Sequence, residues 1–457
     1  MKGNREWVKE EFSKIQFKDR RIGERFLTLM TSISDAPGLS IPDACGEWSE
    51  TKAGYRLIGN DAFEVEKVQI AHRAETIMRA SAHERVLAVQ DTTFLNFSGH
   101  EKTTGLGQIR TKEASDSKGL ITHTQFLITT QGIPLGILGQ KIWSRTKREK
   151  ATASAQRQLQ RKTPIKDKES YKWIEFLEAK WVKEIEAKVV HIGDREIDMF
   201  EFIQRANSLD EDFVIRSSWN RRIKDVEAEH LLEKLKKQKV SYKTKIALEK
   251  QERGLEVRSC KVEIKLPGNH KFISQKANEI VTAIYVTEKK PPKGETALEW
   301  MLLTNIPCEN NQEIQEKIEW YKLRWKIEVF HKILKTGCRV EKSRFSTGEK
   351  ISKMVVLQSI VAWRLFFLSM LNKDSPNSSS EEILSEAEWK SLYCVANKTK
   401  ELPQKAPTVG QSILWIAKLG GFLARRHDGD PGFITIWRGW NKLQNMALLW
   451  RSLNNCG

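Results

Sequence analysis

Two acidic residues stand directly behind short apolar runs: Asp91 in VLAVQDTT and Asp194 in VVHIGDRE. Carboxylates at the carboxyl ends of neighbouring strands in an open α/β sheet face the crevice where such sheets take their ligands. A single aspartate after a strand more often caps the next helix, and two at equivalent places weaken that reading without removing it. The third concentration of chemistry is YKLRWKIEVFHKILK, where Tyr321, Arg324, Glu328, Lys332 and Lys335 stand at offsets 0, 3, 7, 11 and 14. On a helix these positions form one stripe, with Leu323, Ile327, Phe330 and Leu334 on the opposite side. Such a helix anchors by its apolar face and presents a phenol, a guanidinium, a carboxylate and two ammonium groups in one direction. The same pattern suits a plain amphipathic helix in which Glu328 and Lys332 form an i,i+4 pair worth about 0.3–0.5 kcal/mol. The residues alone do not separate the two.

The elements that must carry these residues follow from hydrophobic period. Residues 5–80 have helical spacing (Trp7, Phe12, Ile15, then Phe26, Leu27, Met30), interrupted by Pro37 and Pro42. Residues 86–89 form a short buried strand ending at Gln90 and Asp91. Residues 120–130 and 133–143 form a hairpin about Gln131 and Gly132. Helical spacing returns over 166–187 through Trp173, Phe176, Leu177 and Trp181, followed by a strand at 189–193, a helix at 197–206 and a strand at 213–217. Strand, hairpin, helix, strand, helix, strand is the order of a ribonuclease H-like layer: an α/β fold whose mixed sheet has helices on both faces.

Residues 218–306 break that order with β-like runs and turn chemistry at Pro291, Pro292, Lys293 and Gly294, which reads as a β-rich insertion before a last core helix at 312–338. Residues 353–371 and 411–450 are helical in pattern, with KDSPNSSSEE and ELPQKAP as linkers between them. The expected division is a helical domain at 1–75, a catalytic-type core at 76–370 and a helical domain at 371–457.

Charge names the partner. The 457 residues hold 77 Lys and Arg against 59 Asp and Glu, a net charge of +18. Residues 141–170 hold ten basic and three acidic groups, 216–250 eleven and five, and 321–353 ten and three, so these stretches carry the whole surplus. One isolated run is usually a solvated helix face. Three runs separated by apolar segments favour patches converging on one extended anion, nucleic acid first among them. The first 70 residues are near neutral, so DNA contact there rests on shape and a few side chains.

With 39% hydrophobic residues and a mean hydropathy of −0.51, neither wholesale disorder nor a polytopic membrane protein fits. The six cysteines are far apart, with no CxxC and no zinc-type spacing, and read as free thiols of a reducing cytoplasm. MKGNREWVKEEF lacks the apolar stretch of a signal peptide. Residues 354–371 are long and apolar enough to span a bilayer, yet Arg364 near the middle would cost about 2.5–3.5 kcal/mol there, so a buried helix and no membrane is the expectation. Gly105 and Gly107 lack the spacing of a nucleotide-binding loop.

Six segments together carry a family likeness: AGYRLIGN (53–60), VQDTTFLNF (89–97), DREIDMF (194–200), FVIRS (213–217), PPKGETALEWMLLT (291–304) and YKLRWKIEVFHKILKTG (321–337). In order, over about residues 5–365, the chain resembles the bacterial cut-and-paste DNA transposases with a DDE triad, of the insertion-sequence-four family. The signature Y-x2-R-x3-E-x6-K of that family is met by Tyr321, Arg324, Glu328 and Lys335. The resemblance implies that Asp91, Asp194 and Glu328 are the catalytic carboxylates. It also implies a ribonuclease H-like core interrupted by a β-insertion, an amino-terminal helical domain that binds the transposon end, and a carboxy-terminal helical dimerisation domain. A homodimer would pair two ends of double-stranded DNA, cut them through a hairpin intermediate and join them to target DNA.

Electrostatics agrees with that triad. Two unit charges about 4 Å apart repel by about 4 kcal/mol at an effective dielectric near 20, so three converging carboxylates call for a counter-ion. Oxygen donors without a Cys or His pair select Mg²⁺ or Mn²⁺, and two such ions suit an in-line phosphodiester displacement. Tyr321, Arg324 and Lys335, joined by Lys332, would hold phosphates beside the scissile bond. Trp300 and Trp325 match family positions implicated in holding a flipped base, with core packing the alternative for both, more so for Trp325 than for Trp300. Arg216, Arg221 and Arg222, just past the fifth core strand, would touch DNA backbone. His123 reads as a structural histidine, or one that supports a metal ligand, rather than as a ligand itself. The competing readings are a nuclease of the same core that cuts without joining, and a catalytically silent transposase-derived DNA-binding protein, against which the complete triad argues. The place of work is the cytoplasm, at the nucleoid.

Overall fold

The structure, a computed structural model, describes residues 4–109, 117–145, 154, 158–159, 162–248, 251–267, 277–374 and 376–454. Much of the basic run at 141–170, part of the expected linker KDSPNSSSEE and Cys456 lie outside the described residues.

Five helices open the chain: α1 (Asn4–Glu11), α2 (Arg20–Asp35), α3 (Ile41–Cys45), α4 (Trp48–Ile58) and α5 (Val65–Ala80). Asp19 caps α2 by accepting the Arg21 N–H, and Ser40 caps α3 with Pro42 in its first turn, where no N–H is missed. Pro42 thus starts a helix. The core follows as β1 (Arg85–Asn96), β2 (Gly107–Gln108), β3 (Lys118–Thr129), β4 (Pro134–Trp143), α6 (Tyr171–Leu177), β5 (Lys188–Gly193), α7 (Phe200–Leu209) and β6 (Asp212–Arg216). Next come α8 (Leu231–Lys237), β7 (Tyr242–Leu248), β8 (Gln251–Ile264), β9 (Glu279–Glu288) and β10 (Glu299–Thr304). The chain ends with α9 (Asn311–Lys322), α10 (Trp325–Lys332), α11 (Gly348–Asp374), α12 (Glu386–Asn397), α13 (Val409–Leu419) and α14 (Phe433–Asn454).

Among the described residues the ten strands form one mixed sheet of order β3-β1-β5-β6-β10-β9-β8-β7, with β2 and β4 both on the free side of β3. β1, β5 and β6 run parallel, and β3 and β10 antiparallel to their neighbours. This is the ribonuclease H-like layer expected from the sequence. The β-rich segment does not stand apart from it. β10 pairs with β6 (Leu303↔Ile215), and β9, β8 and β7 continue outward, so the segment covers an edge that would otherwise expose unpaired backbone groups.

Strand alternation divides the core between two faces. Leu87, Val89, Val190, Ile192, Val214 and Leu302 point to the face covered by the amino-terminal helices, α10, α11 and the carboxy-terminal helices, in one continuous cluster. Phe213, Ile215, Ala283 and Leu303 point to the other face, under α6, α7 and α8. Helix α11 is long and apolar enough to cross a membrane, but 89% of its apolar window is buried inside the protein. Arg364 at its centre lies over the rings of Trp7 and Phe367, at 5.2 and 5.8 Å. The expected divisions at 75 and 370 fall inside α5 and α11, helices that tie the regions together.

A buried polar cluster fastens α1 to this core. Glu11 accepts from both Nη atoms of Arg79 (2.9 and 3.1 Å) and lies 2.5 Å from His72 Nδ1, while the Ile137 N–H donates to His72 Nε2 at 3.0 Å. Burial alone would raise the Glu11 carboxyl, but Arg79 and His72 more than offset it and hold it down at about 2.

Candidate active site

The parallel pairing of β1 with β5 ends at Val89↔Ile192, and Asp91 and Asp194 each stand two residues beyond it, where the strands part. Asp91 does not end its strand, contrary to the expectation from the apolar run before it. β1 runs on to Asn96 paired to β3 alone, with Asp91 opposite Thr124, because β3 supplies a full ladder where β5 has turned away. Asp91 has the strand parity of Leu87 and Val89 and faces α10. Asp194 begins the turn after β5. A side chain on the preceding Gly193 would come within 2.6 Å of Ile197, so only glycine lets the chain fold over that tightly.

The expected single helix at 312–338 is broken. α9 ends at Lys322, and the N–H groups of Arg324, Lys326 and Ile327 bond three residues back, a tighter 3₁₀ winding that rotates α10 relative to α9. α10 then runs into a π-helical turn, Ile333–Gly337. Phe330 stacks on Phe126 of β3 at 4.7 Å and seats α10 on the sheet. The polar stripe is therefore divided. Tyr321 turns inward and donates its hydroxyl to Asp194 Oδ1 at 3.3 Å. Glu328 and Lys332 remain exposed and Lys335 is half-buried, its ammonium made less basic by burial.

Arg324 joins the acids. Its Nη2 lies 2.5 Å from Glu328 Oε1 and 3.8 Å from Asp194 Oδ2. Asp91 senses the same group: burial raises its carboxyl to about 6, Glu328 adds to the rise, and Arg324 opposes it. All three acids thus border one crevice with a guanidinium among them. Among the described residues no three Asp, Glu, His or Cys side chains stand close enough to share one metal ion. The donors nevertheless suit a hard dication: three carboxylates, one with a pKa raised by burial, and Glu328 exposed and able to rotate from Arg324 toward the aspartates.

His331, absent from the residues expected here, is buried with Nδ1 3.7 Å from Asp91 Oδ2, and burial lowers its imidazole to about 3, with Lys335 contributing. The only sequence signal for it is its place three residues after Glu328. His123 is buried between Gln90 and Thr92, on the sheet face turned away from Asp91, and is structural as expected.

The DNA-contact residues divide. Trp300 packs edge-on to Tyr321 at 5.7 Å, and the Arg216 guanidinium donates to the Glu299 carbonyl beside it, so both border the crevice. Trp325 is 53% exposed and so not packed in the core, because the break before α10 turns it outward. It lines a cavity of about 560 Å³ with Glu328, Lys332 and residues of α11 and α13. Arg222 is exposed beside Glu229. Arg221, expected on DNA backbone, is turned inward: its side chain is 9% exposed and paired at 2.5 Å with buried Asp198, which also accepts the Ser218 and Trp219 N–H groups. Holding that loop closed consumes the guanidinium.

Three known families match the chain in order. The family described as "Transposase DNA-binding" matches residues 4–63, "Transposase DDE domain" residues 174–364, and "Transposase Tn5 dimerisation domain" residues 360–453. The second span contains Asp194 and Glu328, while Asp91 precedes it.

Proposed function

We propose, from the premise that this chain belongs to the Tn5-type DDE transposases, metal-dependent nucleases and strand transferases, that Asp91, Asp194 and Glu328 are its catalytic carboxylates. The observation that carries this reading is the arrangement of the two aspartates at matching distances past the last β1/β5 rung, with Arg324 linking Asp194 to Glu328. The three would hold two Mg²⁺ or Mn²⁺ ions, which when bound supply charge stabilisation for an in-line phosphodiester displacement.

The chain's own groups prepare that step. Arg324 neutralises the crevice until its acids are engaged, and its planar fork is then released for a phosphate. Tyr321, whose hydroxyl burial and Asp194 push up to about 12, stays protonated and fixes the orientation of Asp194. Lys335 and Lys332 flank the scissile bond as point charges, and Trp300 offers a face for a base. A 3′ hydroxyl released at the transposon end attacks the opposite strand to make a hairpin and, after reopening, attacks target DNA. A homodimer holds two ends together for these steps, in the cytoplasm and at nucleoid DNA.

Incubation with labelled end DNA, target plasmid and Mg²⁺ tests this. Nicked ends and joined products are expected. Nicks without joining would favour a nuclease, and bound but uncut DNA a silent binding protein.

A further inference from the structure

Helix α10 buries one polar ring beside the acids. His331 is 7% exposed, on the face that Phe330, stacked on Phe126, seats against the sheet. Its Nε2 is enclosed and meets no hydrogen-bond partner among the described residues, while Nδ1 lies 3.7 Å from Asp91 Oδ2. An apolar side chain could fill this place without stranding a buried nitrogen, so packing alone does not account for an imidazole. Sequence position adds to the geometry: His331 follows Glu328 by three residues and precedes Lys335 by four, about one helical turn from each.

Such a ring suits a neighbour of a metal-binding acid. A lysine or arginine here would pair with Asp91 as Arg79 pairs with Glu11, and would compete with a dication for the same oxygens. A buried imidazole avoids that competition. Enclosure, helped by the Lys335 ammonium, keeps the ring uncharged, so it brings one N–H donor and no positive charge. The 3.7 Å gap is just beyond hydrogen-bond length, and a small turn of the Asp91 carboxylate closes it. Arg324 does not fill this role, because its guanidinium is taken by Glu328.

Resting on the proposed triad, we infer that His331 is a positioning residue, donating its Nδ1–H to Asp91 and holding that carboxylate with its other oxygen open to the metal. Removing a partner of this kind behind a ligating group changes metal affinity or activity by about 10- to 100-fold. A single turn of α10 then supplies the third acid and orients the first.

The test uses the full-length protein bound to end DNA, with the Mn²⁺ signal that Asp91→Ala abolishes taken as the site. By electron paramagnetic resonance, His331→Ala should weaken Mn²⁺ binding there about tenfold or more, and strand cleavage should fall with it. Asparagine places its amide nitrogen where Nδ1 stands and glutamine where Nε2 stands, so His331→Asn should recover most of the affinity and His331→Gln little. Unchanged affinity in His331→Ala, or equal recovery by both amides, would overturn the inference. Wild type gives an independent reading: in Mg²⁺ at about pH 8 the ¹⁵N resonances of His331 should show the proton on Nδ1, and a proton on Nε2 would overturn it too. If Asp91→Ala leaves Mn²⁺ binding intact, the triad reading falls instead.

Discussion

Two acidic clusters on the same side of the sheet have opposite electrostatics. Burial pushes both Glu11 and Asp91 toward the neutral acid, yet Glu11 is held at about 2 and Asp91 rises to about 6. Glu11 has committed partners, a two-pronged Arg79 and His72, and its network closes on the Ile137 backbone. Asp91 has a backbone N–H from Thr92 but no committed cation: Arg324 is engaged by Glu328, and His331 is 3.7 Å away. The first cluster holds α1 to the core. The second is left short of positive charge, the condition in which a carboxylate gains most from a cation.

Five substitutions sharpen that contrast. Asp194→Ala should leave end binding intact and lower strand cleavage by about three orders of magnitude, some 4 kcal/mol of transition-state stabilisation. A gel assay showing wild-type cleavage would remove Asp194 from the chemistry. Arg221→Ala strands Asp198 in the interior and should cost about 3–5 kcal/mol by denaturant unfolding, whereas Arg222→Ala should stay within about 0.5 kcal/mol. The Glu11 cluster should appear as acid lability. Its folded pKa is depressed, so its contribution, about 3 kcal/mol, is complete above pH 4.5 and is lost as pH falls from there toward 2. Unfolding of wild type and Glu11→Gln should therefore converge on acidification, and parallel curves would contradict the pairing. Smallest is Lys335→Ala, which should reduce the salt slope for end binding by about 0.9 if it makes one phosphate contact.

Much of this is legible in the sequence because it rests on local patterns. Period-2 and period-3.6 runs give the strand and helix order, and acids behind apolar runs point to Asp91 and Asp194. The hidden features depend on long-range partners. Nothing local says that β1 continues past Asp91, since its second half is held by β3 alone. Counting basic residues does not distinguish Arg221 from Arg222, because only folding brings Asp198 to one of them. A uniform helical period does not foresee the tight winding at Leu323 and Arg324 that buries Tyr321 and exposes Trp325. His331, apolar in its surroundings and close to Asp91, looks in the sequence like one more residue of an amphipathic helix.

Anomalous scattering from Mn²⁺ in crystals of the protein with end DNA tests the central claim most directly. The account predicts a peak in the crevice contacted by Asp91, Asp194 and Glu328, with Arg324 withdrawn from Glu328 toward a phosphate. Manganese held elsewhere while Glu328 stays on Arg324 would contradict it.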